Sequence, residues 1–203
     1  MLDLSNLIPI SAVVAVGLFC TKERLEFVRR RDADARKITA LKLLVARECE
    51  LNHWTIKSYV RVVNALKEEA EIEVEEERAS FAIIEAASEK LFFRTIQPDG
   101  SEGGQMWLPN VHREVLGKYL LDIATLDKDF FDVAEHAYDA LAEVQHIQDH
   151  IRERENKPGF IDLADYDHGL GEYSLVELND AKAALNKLYQ FCTSHELSNH
   201  RLR

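Results

Sequence analysis

Two Glu-x-x-His pairs are the first residues whose types and spacing suggest chemistry: Glu50 with His53, and Glu143 with His146. On a helix, residues three apart share a face, so each pair would present a carboxylate and an imidazole together. Dinuclear iron or manganese bundles use two such pairs plus one Glu from each of two other helices. Glu85 and Glu177 are the carboxylates that would complete that set. Carboxylates neutralise and bridge hard cations, and imidazoles finish the shell. The pattern carries little weight in a chain with 36 Asp and Glu and eight His, where such matches arise by chance.

His146 and His150 add a second spacing. They stand four apart, with Asp149 and Glu153 nearby, and two imidazoles so placed can chelate a divalent metal. They lack the His-Glu-x-x-His form of a zinc protease. The candidate metal ligands are therefore Glu50, His53, Glu143, His146 and His150, and a metal-dependent helical-bundle enzyme is one alternative function. Asp162, Asp165, Asp167 and His168 cluster without the spacing of a calcium loop, so a hydrogen-bonded turn is the simpler reading. Cys49 and His53 have nucleophile–base spacing, but nothing supplies an oxyanion site or an orienting partner. No Gly-x-Ser-x-Gly elbow or phosphate loop is present. No cofactor is implied, and a non-enzymatic role is the better expectation.

These groups need elements to position them. Few prolines (four) and few glycines (eight) suit long helices. Ala33–Leu66 repeats Ile38, Leu41, Val45, Cys49, Asn52, Ile56, Tyr59, Val63 and Leu66 at threes and fours, the stripe of one amphipathic helix. Asn52 is a polar residue within that stripe, and a buried Asn can set register. Seven glutamates fall in Glu68–Glu77, a run expected to be exposed. A further helix is expected over Glu75–Phe93, with Phe81, Ile84, Ser88 and Leu91 on one face. A loop is expected over residues 97–105, carrying Pro98, Asp99, Gly100, Gly103 and Gly104. Phe92–Ile96 and Gln105–Leu108 around it suit a small hairpin, although helix–loop–helix is the preferred reading. One long helix is expected over Val111–Glu155, ended by Pro158 and Gly159. Phe160–Tyr173 reads as irregular, and Ser174 with Glu177 has capping-box spacing before a last helix, Leu175–His195.

The N-terminus differs from the rest. Residues 4–21 hold eighteen positions without a charge, centred on Leu7–Cys20, near the lower limit for a spanning helix. Lys22, Arg24, Arg29, Arg30 and Arg31 follow at once, which would place the C-terminal side in the cytoplasm. Arg29, Arg30 and Arg31 would also attract anionic lipid. A signal peptide needs its positive charge before the apolar run, and here only Asp3 precedes it. Burial of the run in a soluble, cytoplasmic protein is the competing expectation.

Residues 1–67 carry a net charge of +5 and residues 68–203 a net of −16, together the −11 of the chain. So acidic a protein repels nucleic acid, and no nucleic-acid-binding signature accompanies the basic run. Three scattered cysteines argue against a disulfide framework.

The expected architecture is all-α: an N-terminal transmembrane helix followed by an elongated helical bundle or coiled-coil-like domain. Its segments are an anchor at 1–21, a basic stalk and first long helix at 22–67, an acidic helical region at 68–157, and an irregular segment with a C-terminal helix at 158–203. The expected function is a membrane-tethered scaffold or adaptor that binds itself or another protein through apolar helix faces. An oligomeric membrane-perturbing effector, motivated by the small residues Ser11, Ala15 and Gly17, is the other alternative.

Overall fold

The computed structural model describes the backbone of residues 10–87, 90–154 and 163–198, and side chains from residue 12 onward. The elements are α1 (Ile10–Ala70), a 3-10 turn at Glu75–Glu77, β1 (Ser80–Glu85), β2 (Leu91–Ile96), β3 (Glu102–Leu108), α2 (Glu114–Leu126), α3 (Lys128–Glu153) and α4 (Leu163–Thr193). The chain divides into two units, Met1–Leu41 and Lys42–Arg203, and α1 contributes residues to both.

In the first unit, no described helix is long and apolar enough to cross a membrane. This corrects the expected transmembrane helix and, with it, the single-pass placement. Within the described residues the reason is length. The apolar run within α1 covers Ile10–Cys20 and rises about 16 Å, against a hydrocarbon core of about 30 Å. Charge resumes at Lys22, Glu23 and Arg24. Residues 4–9, the remainder of the expected span, lie outside the described residues.

The second unit corrects the all-α expectation. Three antiparallel strands form a sheet in the order β1-β2-β3. Ile83 pairs with Phe93 and Glu85 with Leu91, while Leu91 pairs with Leu108 and Phe93 with Met106. One sheet face therefore carries Phe81, Ile83, Leu91, Phe93, Met106 and Leu108. Phe81 stacks on Phe93 with ring centroids 4.8 Å apart. The helical reading of Glu75–Phe93 placed Phe81 and Ile84 together, but in a strand they point to opposite faces. The β-branched and aromatic content of Phe81–Ile84 and Leu91–Ile96 favours strands. Gly100 closes the β2–β3 turn with φ of 80°, a conformation other side chains rarely adopt.

The helix expected over Val111–Glu155 is two helices. Asp127 breaks it: its backbone is extended, and its side chain accepts from the Phe130 amide at 3.0 Å, capping α3. The final helix begins at Leu163, well before Ser174. Ser174 is buried in mid-helix and its hydroxyl finds no partner among the described residues, so it caps nothing.

The core lies along α1 from Val45 to Leu66, along α3 from Phe130 to Ile151, and along α4 from Leu170 to Leu188. α3 packs against α4 and α2 packs against α3. α4 also passes close to α1: a Cβ on Gly171 would lie 3.0 Å from the Lys67 Cβ, so glycine permits the approach. Arg154, at the end of α3, holds Asp167 of α4 in a fork of hydrogen bonds at 2.6, 2.7 and 3.0 Å. Both side chains are largely buried.

Candidate functional site

The polar residues of α1 that face inward define a buried hydrogen-bonded site. Glu48, Asn52 and Thr55 follow one another at spacings of four and three, so they line one side of the helix. All three are buried. Opposite them runs the stretch from Asn110 into the first turn of α2. The Glu48 carboxylate accepts from the Val115 amide at 2.8 Å and from the Leu116 amide at 2.9 Å. Asn52 donates to the His112 carbonyl at 2.6 Å and accepts from the His112 amide at 2.9 Å. Thr55 donates to the Asn110 carbonyl at 3.2 Å. The first amides of any helix lack partners within it. Arg113, at the N-cap of α2, makes no side-chain cap, and Glu48 from α1 fills that role. Burial pushes the Glu48 carboxyl above its usual range, against the opposing pull of the Val115 and Leu116 amides.

Beside this clamp a cleft of about 670 Å³ opens. Ile83 and Glu85 of β1, Asn110 of the connecting stretch, Glu114 at the start of α2, and Gln148 and Arg152 of α3 line it. Arg152 donates to the Asn110 side-chain oxygen at 2.7 Å. The Gln148 amide lies against Asn110, the Val111 amide and the Arg152 guanidinium.

The candidate metal ligands occupy different surroundings. Glu50 accepts from Arg47 at 2.7 Å and from the Tyr189 hydroxyl at 3.3 Å. His53 stands edge-on to Trp54 and lines a separate cavity of about 390 Å³ with Lys57 and Lys182. Glu143 accepts from the Tyr173 hydroxyl at 2.7 Å. Burial, followed by Glu143, pushes the Tyr173 hydroxyl up to about 12. Glu85 faces the cleft. His146 and His150 do meet, with their Nε2 atoms 3.0 Å apart. Among the described residues, no three His, Cys, Asp or Glu gather in a way that could hold a metal ion. Asp167 is committed to Arg154, and Asp162 lies outside the described residues.

Cys49 and Cys192 offer no activated nucleophile. Burial raises the Cys49 thiol well above its usual range, and burial raises Cys192 to about 12. Cys20 is exposed.

The clamp of Glu48 and Thr55 was not anticipated. Its signal in the sequence is a polar line at spacings of four and three, of which Asn52 alone falls within the apolar stripe. No protein-family model, curated protein or solved structure matches the chain.

Proposed function

We propose that this chain is a helical scaffold whose copies associate through the N-terminal part of α1. The observation that carries this reading is apolar exposure in the first unit. Val16, Leu18, Phe19, Leu25 and Phe27 are each between 59% and 66% exposed. Fully burying a side chain of this size stabilises by about 1.5–3 kcal/mol, so this surface gains from being covered. Of these residues, Leu18 and Leu25 share one helix face with the exposed Val14 and Val28, and an exposed apolar face of this kind marks an interaction site.

The spacing favours a second copy as the cover. Val14, Leu18, Thr21, Leu25 and Val28 recur at alternating fours and threes, the seam of a coiled coil. Alongside that seam Glu26 lies between Lys22 at 3.8 Å and Arg30 at 3.7 Å. Such exposed pairs add little stability but keep the flank of the seam solvated. Association along α1 would bring several copies of the Lys42–Arg203 unit together, which is what a scaffold does.

Sedimentation velocity over a concentration series tests the reading. The full chain is expected to associate, and Leu18→Glu with Leu25→Glu to return it to a monomer of unchanged helical content. A full chain that stays monomeric at every concentration overturns it, as does an oligomer indifferent to the two substitutions.

A further inference from the structure

We propose that His146 and His150 form a two-histidine chelate for a borderline divalent cation of the zinc, nickel or copper class. α3 places the two imidazoles one turn apart on the same face, with rings at 87° and centroids 4.3 Å apart. Their Nε2 atoms lie 3.0 Å apart. Two such nitrogens at that separation repel unless a proton or a cation is shared between them. Metal–imidazole bonds of about 2.0–2.1 Å in tetrahedral geometry separate two nitrogens by about 3.3 Å. A small rotation of the exposed His146 ring would supply the difference.

The second ring nitrogen of His150 is already engaged. Its Nδ1 lies 2.9 Å from the Tyr166 hydroxyl of α4. When Nδ1–H donates to that oxygen, Nε2 is left as the lone-pair atom facing His146. Metal-binding histidines are commonly oriented in this way by a partner on the other nitrogen. Tyr166 is thus a positioning residue for His150, set by the α3–α4 packing rather than by α3 alone.

Surrounding charge favours a cation. Asp149 is exposed between the two histidines in sequence, and Glu143 sits one turn before His146. Both carboxylates already have hydrogen-bond donors, Gln145 at 3.1 Å and Tyr173 at 2.7 Å. They supply field rather than bonds, and no third protein ligand is present among the described residues. Water would complete the shell. Imidazole donors with no carboxylate select zinc, nickel or copper over magnesium or calcium.

Calorimetric titration of the full chain with Zn²⁺, Ni²⁺ and Mg²⁺ tests the site. One equivalent of Zn²⁺ or Ni²⁺ is expected to bind, without measurable Mg²⁺ binding. His146→Ala and His150→Ala should each abolish it, and His53→Ala should leave it intact. Tyr166→Phe should weaken affinity about ten- to a hundredfold, as loss of an outer partner does. All four substitutions leave the core untouched, and circular dichroism checks that the fold persists. No uptake by the full chain, or uptake unchanged in His146→Ala, overturns the proposal.

Discussion

Asn52 and His112 exchange two hydrogen bonds across sixty residues of sequence, side-chain amide to backbone carbonyl at 2.6 Å and backbone amide to side-chain oxygen at 2.9 Å. One side chain thus treats one residue's backbone as a neighbouring strand would. The Asn52 amide also donates to the Glu48 carbonyl at 3.1 Å within α1. In the stretch before α2, Val111 is buried and His112 half-buried, so their backbone polar groups draw partners largely from the protein.

Replacing Asn52 by Ala would orphan the amide and the carbonyl of His112 together. Each unsatisfied buried group costs about 1–3 kcal/mol, so a loss of roughly 2–4 kcal/mol is expected from urea unfolding. Asn52→Asp keeps the acceptor but turns an oxygen toward the His112 carbonyl, and should destabilise more at neutral than at acid pH. Unfolding midpoints equal to those of the parent chain in both variants would show that the clamp contributes nothing.

Glu48 gives the fold a pH dependence with a definite sign. Burial raises its carboxyl above the ordinary value of 4.5, so the folded chain keeps a proton that the unfolded chain has released. Stability from this group is present below the unfolded value and is lost as pH rises through the raised folded value. Glu48→Gln should remove that slope, at the cost of one hydrogen bond to the start of α2. Urea midpoints measured from about pH 4 to pH 8 for both chains give the comparison. Parallel profiles would mean that Glu48 titrates alike in the folded and unfolded states.

Arg154 and Asp167 form an ion pair at 2.6 Å with both side chains largely buried. Asp167→Ala leaves a buried guanidinium without its counter-charge and should cost about 3–5 kcal/mol. Arg154→Met with Asp167→Leu removes both charges and should recover most of that loss, since a buried pair often does no better than well-packed apolar residues. Thermal unfolding of the two variants decides it, and a double variant no better than the single one would contradict the account.

Thiol reactivity should divide the three cysteines. Cys20 is exposed, whereas burial holds the thiols of Cys49 and Cys192 protonated. An aromatic disulfide reagent at neutral pH is expected to modify Cys20 quickly and the other two only on unfolding. Rapid modification of Cys49 in the folded chain would contradict this packing.

Much of the helical content could be read from local pattern. Of the stripe given by spacing alone, Leu41, Val45, Cys49, Asn52, Ile56, Tyr59, Val63 and Leu66 are buried, and Ile38 is half-buried. On α3, Leu141, Val144, Ile147 and Ile151 are buried at the same threes and fours. The break at Asp127 was hidden because apolar residues keep the same rhythm on both sides of it. The strands were only partly legible, for another reason: Phe92–Ile96 and Gln105–Leu108 suit the observed β2–β3 hairpin, whereas the β1 stretch fits a helix face as well. Phe81–Ile84 and Leu91–Ile96 are short apolar runs, and such runs fit a buried helix or a strand equally until a partner is known.

Of the metal candidates, the i,i+4 spacing of His146 and His150 was visible because one helix sets it. The placement of Tyr166 against His150 was not, because it depends on α4. The apolar N-terminal run was visible as well, but apolarity alone does not determine what covers it.

Sequence by itself determined where helix faces turn inward, because an α-helix closes its hydrogen bonds four residues away and displays its pattern locally. Tertiary structure alone decided the sheet, the capping of α2 by Glu48, the clamp of Asn52 on His112 and the commitment of Asp167 to Arg154. Each of these needs a partner from another element, and no local periodicity specifies which distant backbone group a buried side chain will meet.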